Sequence, residues 1–280
     1  MFRCHRLALT LLLAAAVATP ACRAQSFRFA ILGDRTGEAQ PGVYDQVWRE
    51  LAAENPAFIL SAGDSIQGLD DSAAREQWRQ LFRTLTPFKA IPLYLTPGNH
   101  DVWSAQSASL YREFSRRPLH YSFDVQQLHV TVLDNSLGDR LSAAEMRFLE
   151  DDLKSHSRQP LKMVVSHRPS WLIPVVLSDS NAPFHQLMRK YGVSYVIAGH
   201  IHQMLRFQLD GVNYLSMPSA GGHLRASKAY PDGWFFGHTL VNVHDNTVEL
   251  NIEEAKSPAG QGRMTRPSDW GPAGLRNHAP

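Results

Sequence analysis

The chain has 280 residues, 44% of them hydrophobic and 19% charged, with a formal net charge of +2. That balance is globular and excludes a low-complexity or strongly charged disordered chain. Its two cysteines, Cys4 and Cys22, are too few and too early for a disulfide scaffold or a thiolate-ligated cluster in the body of the protein.

At the N-terminus, Arg3, His5 and Arg6 precede an apolar run over 7–17, the pattern of a secretory signal; the run is too short to span a bilayer. Small residues follow it, so 1–24 is expected to be a signal peptide cleaved after Ala24, with a secreted or periplasmic product. A lipid anchor at Cys22 is the rival, but Pro20 and the lack of a preceding aliphatic residue fit it poorly. Loss of the leader removes both cysteines and takes the 28 basic residues to 25 against 26 acidic, a net charge of about −1. Any metal must then sit on nitrogen and oxygen. There is no nucleic-acid-binding signature, neither a basic stripe nor a spaced aromatic motif, and no transmembrane helix is expected after signal removal.

About 255 residues remain, enough for one large core, and no linker, repeat or long charge block divides them. Apolar, β-branched runs predict strands over 29–32, 58–60, 91–95, 163–165 and 195–198. Amphipathic periodicity predicts helices over 43–53, 72–85, 105–114, 142–155 and 184–191. Ser142 and Glu145 have the spacing of a capping box. Further strands are expected over 121–125, 128–133, 203–209, 212–216, 239–243 and 247–252, with hairpin turns at Asp210-Gly211 and Asp245-Asn246. This order fits an α/β fold in which two mixed β-sheets pack as a sandwich flanked by helices. The domain spans 25–256; residues 257–280, with their Pro, Gly and Arg, read as an irregular tail.

Five polar blocks each follow directly on an apolar run: GDRTG at Gly33, GDSIQG at Gly63, GNHD at Gly98, SHRPS at Ser166 and GHIH at Gly199. In open α/β sheets, ligands gather beyond the carboxyl ends of strands. Carboxylate, amide and imidazole donors at five such ends therefore predict a polynuclear metal centre. In an extended GHIH segment both histidines would share a face, whereas an irregular loop would aim them at neighbouring ions.

With GNHD and GHIH in this order, the chain resembles the calcineurin-like metallophosphoesterase superfamily over 27–253. The resemblance implies the sandwich fold and a centre of two divalent or trivalent ions, manganese, iron or zinc. Asp34 and His202 would hold the first ion, Asp64 would bridge, and Asn99, His167 and His200 would hold the second. Two ions about 3.5–4 Å apart can grip a phosphoryl group and ionise a water between them. The implied activity is hydrolysis of a small phosphorylated substrate by in-line attack of metal-bound hydroxide, with monoester and diester both open. His100 would face the substrate, donating a proton to the leaving oxygen or stabilising its charge; Asp101 would orient it, cap the next helix, or both. Arg35 and Arg168 flank proposed ligands, as phosphate contacts or as ordinary ion pairs.

The first block departs from the family pattern, reading Asp34-Arg35-Thr36 where Asp-x-His is commoner. The small purple-acid-phosphatase-like members, which the SHRPSW-like fourth block also resembles, lack that histidine too. They use a tyrosine three residues after the second-block aspartate, and here that position is Gln67. Thr36, Gln67 or water would complete the shell. His223, after Gly221-Gly222, is either a pocket residue or a turn residue held by backbone. Trp103 and Trp171 are candidates for the cleft wall or for core packing. His120, His129, His156, His185, His238, His244 and His278 are assigned to core or surface. A second function follows from the departures: a non-catalytic binder of phosphorylated ligands on a degenerate scaffold with one ion. No Gly-x-Ser-x-Gly elbow supports a serine hydrolase.

Overall fold

The computed structural model describes residues 26–266 and Asp269. The expected leader, its cleavage site and Cys22 lie outside the described residues, as do 267, 268 and 270–280 of the expected tail.

Strand β1 (Ser26–Leu32) sets the architecture. Its side chains alternate with the period of two that a pleated strand imposes: Phe29 and Ile31 enter one apolar cluster, Ala30 and Leu32 another. A strand covered on both faces reads as a continuous apolar run. β1 is central to a six-stranded sheet in the order β12 (Met264–Thr265), β11 (Thr247–Glu254), β10 (Gly237–His244), β1, β2 (Ile59–Ser61), β3 (Leu93–Leu95). The second sheet runs β4 (Tyr121–Val125), β5 (Leu128–Val132), β6 (Leu161–Val165), β7 (Tyr195–Ala198), β9 (Val212–Ser216), β8 (Leu205–Leu209). β1, β2 and β3 are parallel in one sheet, as are β5, β6, β7 and β9 in the other; the outer pairings are antiparallel.

The sheets pack face to face through Phe29, Ile31, Leu60, Val130, Val165, Ile197, Leu215 and Val241, all buried. Phe29 and Phe58 stack there with ring centroids 4.5 Å apart, and each such side chain contributes roughly 1.5–3 kcal/mol by leaving water. Helices α1 (Val43–Ala53), α2 (Asp71–Thr84) and α3 (Ala105–Ser115) cover the first sheet, with Trp48 and Trp78 buried beneath them. On the second sheet, α4 (Ala143–Ser155), α5 (Leu172–Val176) and α6 (Pro183–Lys190) bury Leu149, Val175 and Met188. The register places Leu32 beside Ser61, Ser61 beside Leu95, and Val165 beside Ile197. The blocks that follow these strands therefore start at one level.

Three local expectations are corrected. The 142–155 helix has Ser142 as N-cap, accepting from the Glu145 N–H, but no capping box forms. The Glu145 carboxylate is drawn instead to His120 Nδ1 (2.6 Å) and the Asp134 N–H (3.0 Å). A capping box forms where none was expected, between Ser104 and Ser107 on α3. β3 starts only at Leu93, because Ile91 donates back to the Phe88 carbonyl and Pro92 has no N–H. The expected tail is not irregular throughout: β12 adds to β11, and Arg263 forks onto Glu254 at 2.7 Å through both Nε and Nη2. Among the described residues, no helix is long and apolar enough to cross a membrane.

Candidate metal centre

All five blocks meet at the shared level of the strand ends. His167, after β6, is fully buried; its Nδ1–H donates to the Ala62 carbonyl at 2.9 Å, which turns Nε2 inward. That nitrogen lies 3.3 Å from Asp64 Oδ2, 3.1 Å from Asn99 Oδ1 and 3.2 Å from His200 Nδ1. Beside this group, Asp34 accepts the His200 N–H on both carboxylate oxygens at 2.9 and 3.1 Å. His202 donates from Nδ1 to the His223 carbonyl and turns Nε2 to 3.1 Å from Asp34 Oδ2. Asp34, Asp64, Asn99, His167, His200 and His202 are thus brought together, as two neighbouring groups.

The loop geometry explains how GHIH serves both groups. His200 and His202 both have positive φ, 71° and 61°, as does Asp64 at 52°. Each such conformation costs a non-glycine residue on the order of 1 kcal/mol or more, and such strain concentrates at functional sites. Two left-handed residues flanking Ile201 break the extended alternation, so His200 faces His167 while His202 faces Asp34. Two glycines supply the clearance. A Cβ on Gly199 would stand 2.4 Å from Asp34 Oδ1, and one on Gly98 2.2 Å from Asp64 Oδ1.

The electrostatics suit a cation. Burial alone would raise Asp64, but the His167 charge and hydrogen bond hold it well below the usual carboxylate range. Burial would lower His167, and Asp64 overrides it, lifting the imidazole to about 9. Burial and the neighbouring His167 together depress His200 to about 4. Asp64, Asn99, His167 and His200 thus face one another, and His202 Nε2 is buried without a hydrogen-bond partner. Inward-facing carboxylate, amide and imidazole lone pairs around a site too rich in acceptors fit metal ions of the borderline type.

The neighbours of the candidate ligands are mostly engaged with the fold around them. His100 is partly exposed; its N–H donates to Asp64 Oδ1 at 2.9 Å and its Nδ1–H to the Gln67 carbonyl at 2.5 Å, leaving Nε2 uncommitted. Asp101 neither orients that ring nor caps α3. Its buried carboxylate accepts from the backbone of Ser65 (2.8 Å), Ile66 (3.2 Å) and Gly98 (3.0 Å), tying the second block to the third. Burial and nearby Asp64 push it up to about 7. Thr36 and Gln67 are engaged with each other: the threonine hydroxyl donates to Gln67 Oε1 at 2.6 Å. Arg35 donates to the Ser65 carbonyl and lies over the Tyr44 ring. Arg168 pairs with Asp139 at 2.7 Å. The His223 ring donates to the Gly37 carbonyl, so its contribution beside the site is its own carbonyl, which orients His202. Trp171 is core, packed on Tyr214.

Two contributors were not foreseen. Asn135 clamps the fourth block, donating to the Arg168 carbonyl (2.8 Å) and Ser170 Oγ while accepting from the Arg168 N–H. The 219–222 turn wraps Asp34, whose carbonyl accepts from the Ala220 and Gly222 amides. The signal was present in both cases: Leu133-Asp134-Asn135-Ser136 and Met217-Pro218-Ser219 are also polar turns directly after apolar strands. A second cluster, Asp124, His129 and His156, has a different character. His129 is clamped between Asp124 Oδ1 (2.7 Å) and Asp152 Oδ2 (3.0 Å), and its ring stacks on that of His156 with centroids 3.9 Å apart, so its nitrogens are committed to carboxylates within the fold.

The model of the calcineurin-like phosphoesterase family matches residues 27–204, from the first strand through the GHIH block. The chain belongs to this family. This calcineurin-like phosphoesterase is 31% identical over 172 residues to a 3',5'-cyclic-nucleotide phosphodiesterase of Nostoc, covering 58% of this chain and 62% of that protein. It is 27% identical over 201 residues to the 3',5'-cyclic adenosine monophosphate phosphodiesterase CpdA of Escherichia coli K12, with 68% and 70% covered. With the tartrate-resistant acid phosphatase type 5 of Homo sapiens it shares 24% identity over 226 residues, with 65% and 67% covered. The structure of a yellow lupin purple acid phosphatase superposes with a TM-score of 0.67 at 16% identity, covering 87% of this phosphoesterase and 53% of the lupin chain. The matched regions thus span less than two thirds of the Nostoc protein and about half of the lupin chain. The same two-sheet sandwich underlies the lupin structure.

Proposed function

We propose that the chain is an exported, dinuclear metal-dependent hydrolase of small phosphate esters. The observation that carries this reading is the convergence of six oxygen and nitrogen donors at one level of the sandwich, beside an imidazole whose outer nitrogen is free. Asp34 and His202 would hold one cation and Asn99, His167 and His200 the other, with Asp64 between them. Manganese, iron and zinc all accept such a donor set. A bound pair would supply charge for the phosphoryl oxygens and a more acidic water. The chain's own residues do the rest. The Ala62 and His223 carbonyls fix the tautomers of His167 and His202, keeping each Nε2 lone pair aimed inward. The Gln67 carbonyl holds His100 by its Nδ1–H, so that Nε2 is presented to the departing ester oxygen for proton donation. The positive, short leader over 1–24 supports export.

The relatives' names include cyclic-nucleotide phosphodiesterases and an acid phosphatase, so both ester classes belong in the test. Metal-stripped protein refilled with manganese, iron or zinc is expected to hydrolyse an aryl phosphate, its bis-aryl ester or a cyclic nucleotide, and the ratio of rates assigns the class. The paired Thr36 and Gln67, turned to each other, favour a second reading as a one-ion binding protein. One cation per chain with no turnover on any ester or metal would establish that alternative.

A further inference from the structure

A cleft of about 660 Å³ adjoins the centre, and four of its lining residues, Arg168, Pro169, Ser170 and His200, come from the centre's own blocks. Its other wall is hydrocarbon, from Leu141, Met146, Leu172, Ile173 and Phe184. Helix α5 forms part of that wall in an unusual way. Val175 alone of its five residues is buried against the second sheet, while Ile173 is 72% exposed. Val176 and Leu177 extend the apolar surface beside it at 54% and 73% exposure. The core does not use these side chains. Contiguous apolar surface next to a pocket of ligand size, with a few polar groups at one end, is the arrangement of a small-molecule site. The polar end is built: Asp139, on the rim, holds Arg168 Nη1, and Arg168 Nε is buried with no partner in the fold.

We propose that this cleft receives the leaving group of the ester, and that the chain selects phosphoesters whose alcohol side carries an apolar body, aryl or alkyl. The proposal rests on the phosphoesterase reading above. It commits to this occupant because the cleft is continuous with the centre through His200: a phosphoryl group seated among the metal ligands has this hydrocarbon wall as its neighbouring space. A small polar alcohol would leave the wall wet.

The test uses the full chain loaded with manganese and inert phosphonates that share one head group. Methylphosphonate, benzylphosphonate and hexylphosphonate are titrated by calorimetry, and hydrolysis of an aryl phosphate is measured in parallel. The benzyl or hexyl compound is expected to bind on the order of tenfold tighter than the methyl compound. Ile173→Ser, an exposed change that spares the core, is expected to reduce that ratio several-fold, as is Leu172→Ser. A benzyl preference identifies an aryl or nucleobase ester and a hexyl preference an alkyl or acyl one; both support the proposal. Equal affinities for the three, a ratio unmoved by both variants, or no phosphonate binding at all would overturn it. Hydrolysis without size preference removes the cleft assignment alone, while size-dependent binding without hydrolysis of any ester removes the catalytic reading and leaves the cleft.

Discussion

Replacing Gly199 by alanine adds one methyl group at the point where the GHIH loop meets the first block. That methyl would sit 2.4 Å from Asp34 Oδ1 and 2.9 Å from the Ala62 carbonyl oxygen, where an ordinary contact is nearer 3.4 Å, so Asp34 or the loop must retreat by roughly 1 Å. Overpacking of this kind costs about 1–3 kcal/mol. Stretching the two His200 N–H contacts to the carboxylate, now 2.9 and 3.1 Å, forfeits part of a charge-assisted bond worth about 1.5–3 kcal/mol. The contributions share one movement and do not add in full, so a loss of about 3 kcal/mol is expected, within the 5–15 kcal/mol that holds a typical domain together. A misplacement of about 1 Å also predicts a rate loss on the order of 10²-fold. Guanidinium melts, calorimetric metal titration and turnover of an aryl phosphate measure the three effects. Gly138→Ala is the control, since a Cβ there meets nothing within 4 Å, and it should stay within about 0.5 kcal/mol of the parent. If Gly199→Ala matched the control in stability and metal affinity, the close approach of loop and carboxylate would be refuted.

Asp101→Ala should act on stability before chemistry: it strands three buried backbone donors, and a loss of about 3 kcal/mol in denaturant melts is expected; a change under 1 kcal/mol would contradict the tie between the second and third blocks. His100→Ala should cut turnover by about 10²–10⁴-fold on poor leaving groups and less on good ones, while metal content by mass spectrometry stays at the parental value. The His129 clamp predicts a pH dependence. Burial opposes protonation of His129, but Asp152 and Asp124 raise it above 6.5, so its stabilisation is complete below pH 6.5 and is lost as pH climbs through the raised value. Asp152 is destabilised as an anion by burial yet lowered by its His129, Thr131 and Ser122 hydrogen bonds, so its contribution is present above pH 3.8 and lost on acidification through the lowered value. The stability gap between parent and His129→Gln should therefore be larger at pH 5.5 than at pH 9; an equal gap at both would show that the clamp carries no charge.

The strands and the polar blocks that meet at their ends were readable in the sequence because both rest on local patterns. Runs such as Phe29 to Leu32 are apolar on both faces, and each ends in a polar block, four of the five opening on glycine, whose donors have no use in a core. What was not readable depends on partners distant in the chain. Glu145 has capping-box spacing, yet His120 and the Asp134 amide claim it. Asp101 is adjacent to His100 in sequence but is taken by amides 35 and 36 residues earlier. Thr36 and Gln67, separately conspicuous as departures, answer each other across the site. The roles of Gly98 and Gly199 are steric, and no motif states what a missing methyl group makes room for.

The proposed function requires two cations side by side, and anomalous scattering from crystals grown with manganese tests that most directly. Two peaks about 3.5–4 Å apart are expected, one within coordinating reach of Asp34 and His202, the other of Asn99, His167 and His200, with the Asp64 carboxylate touching both. A single peak, or two peaks away from these side chains, would contradict it.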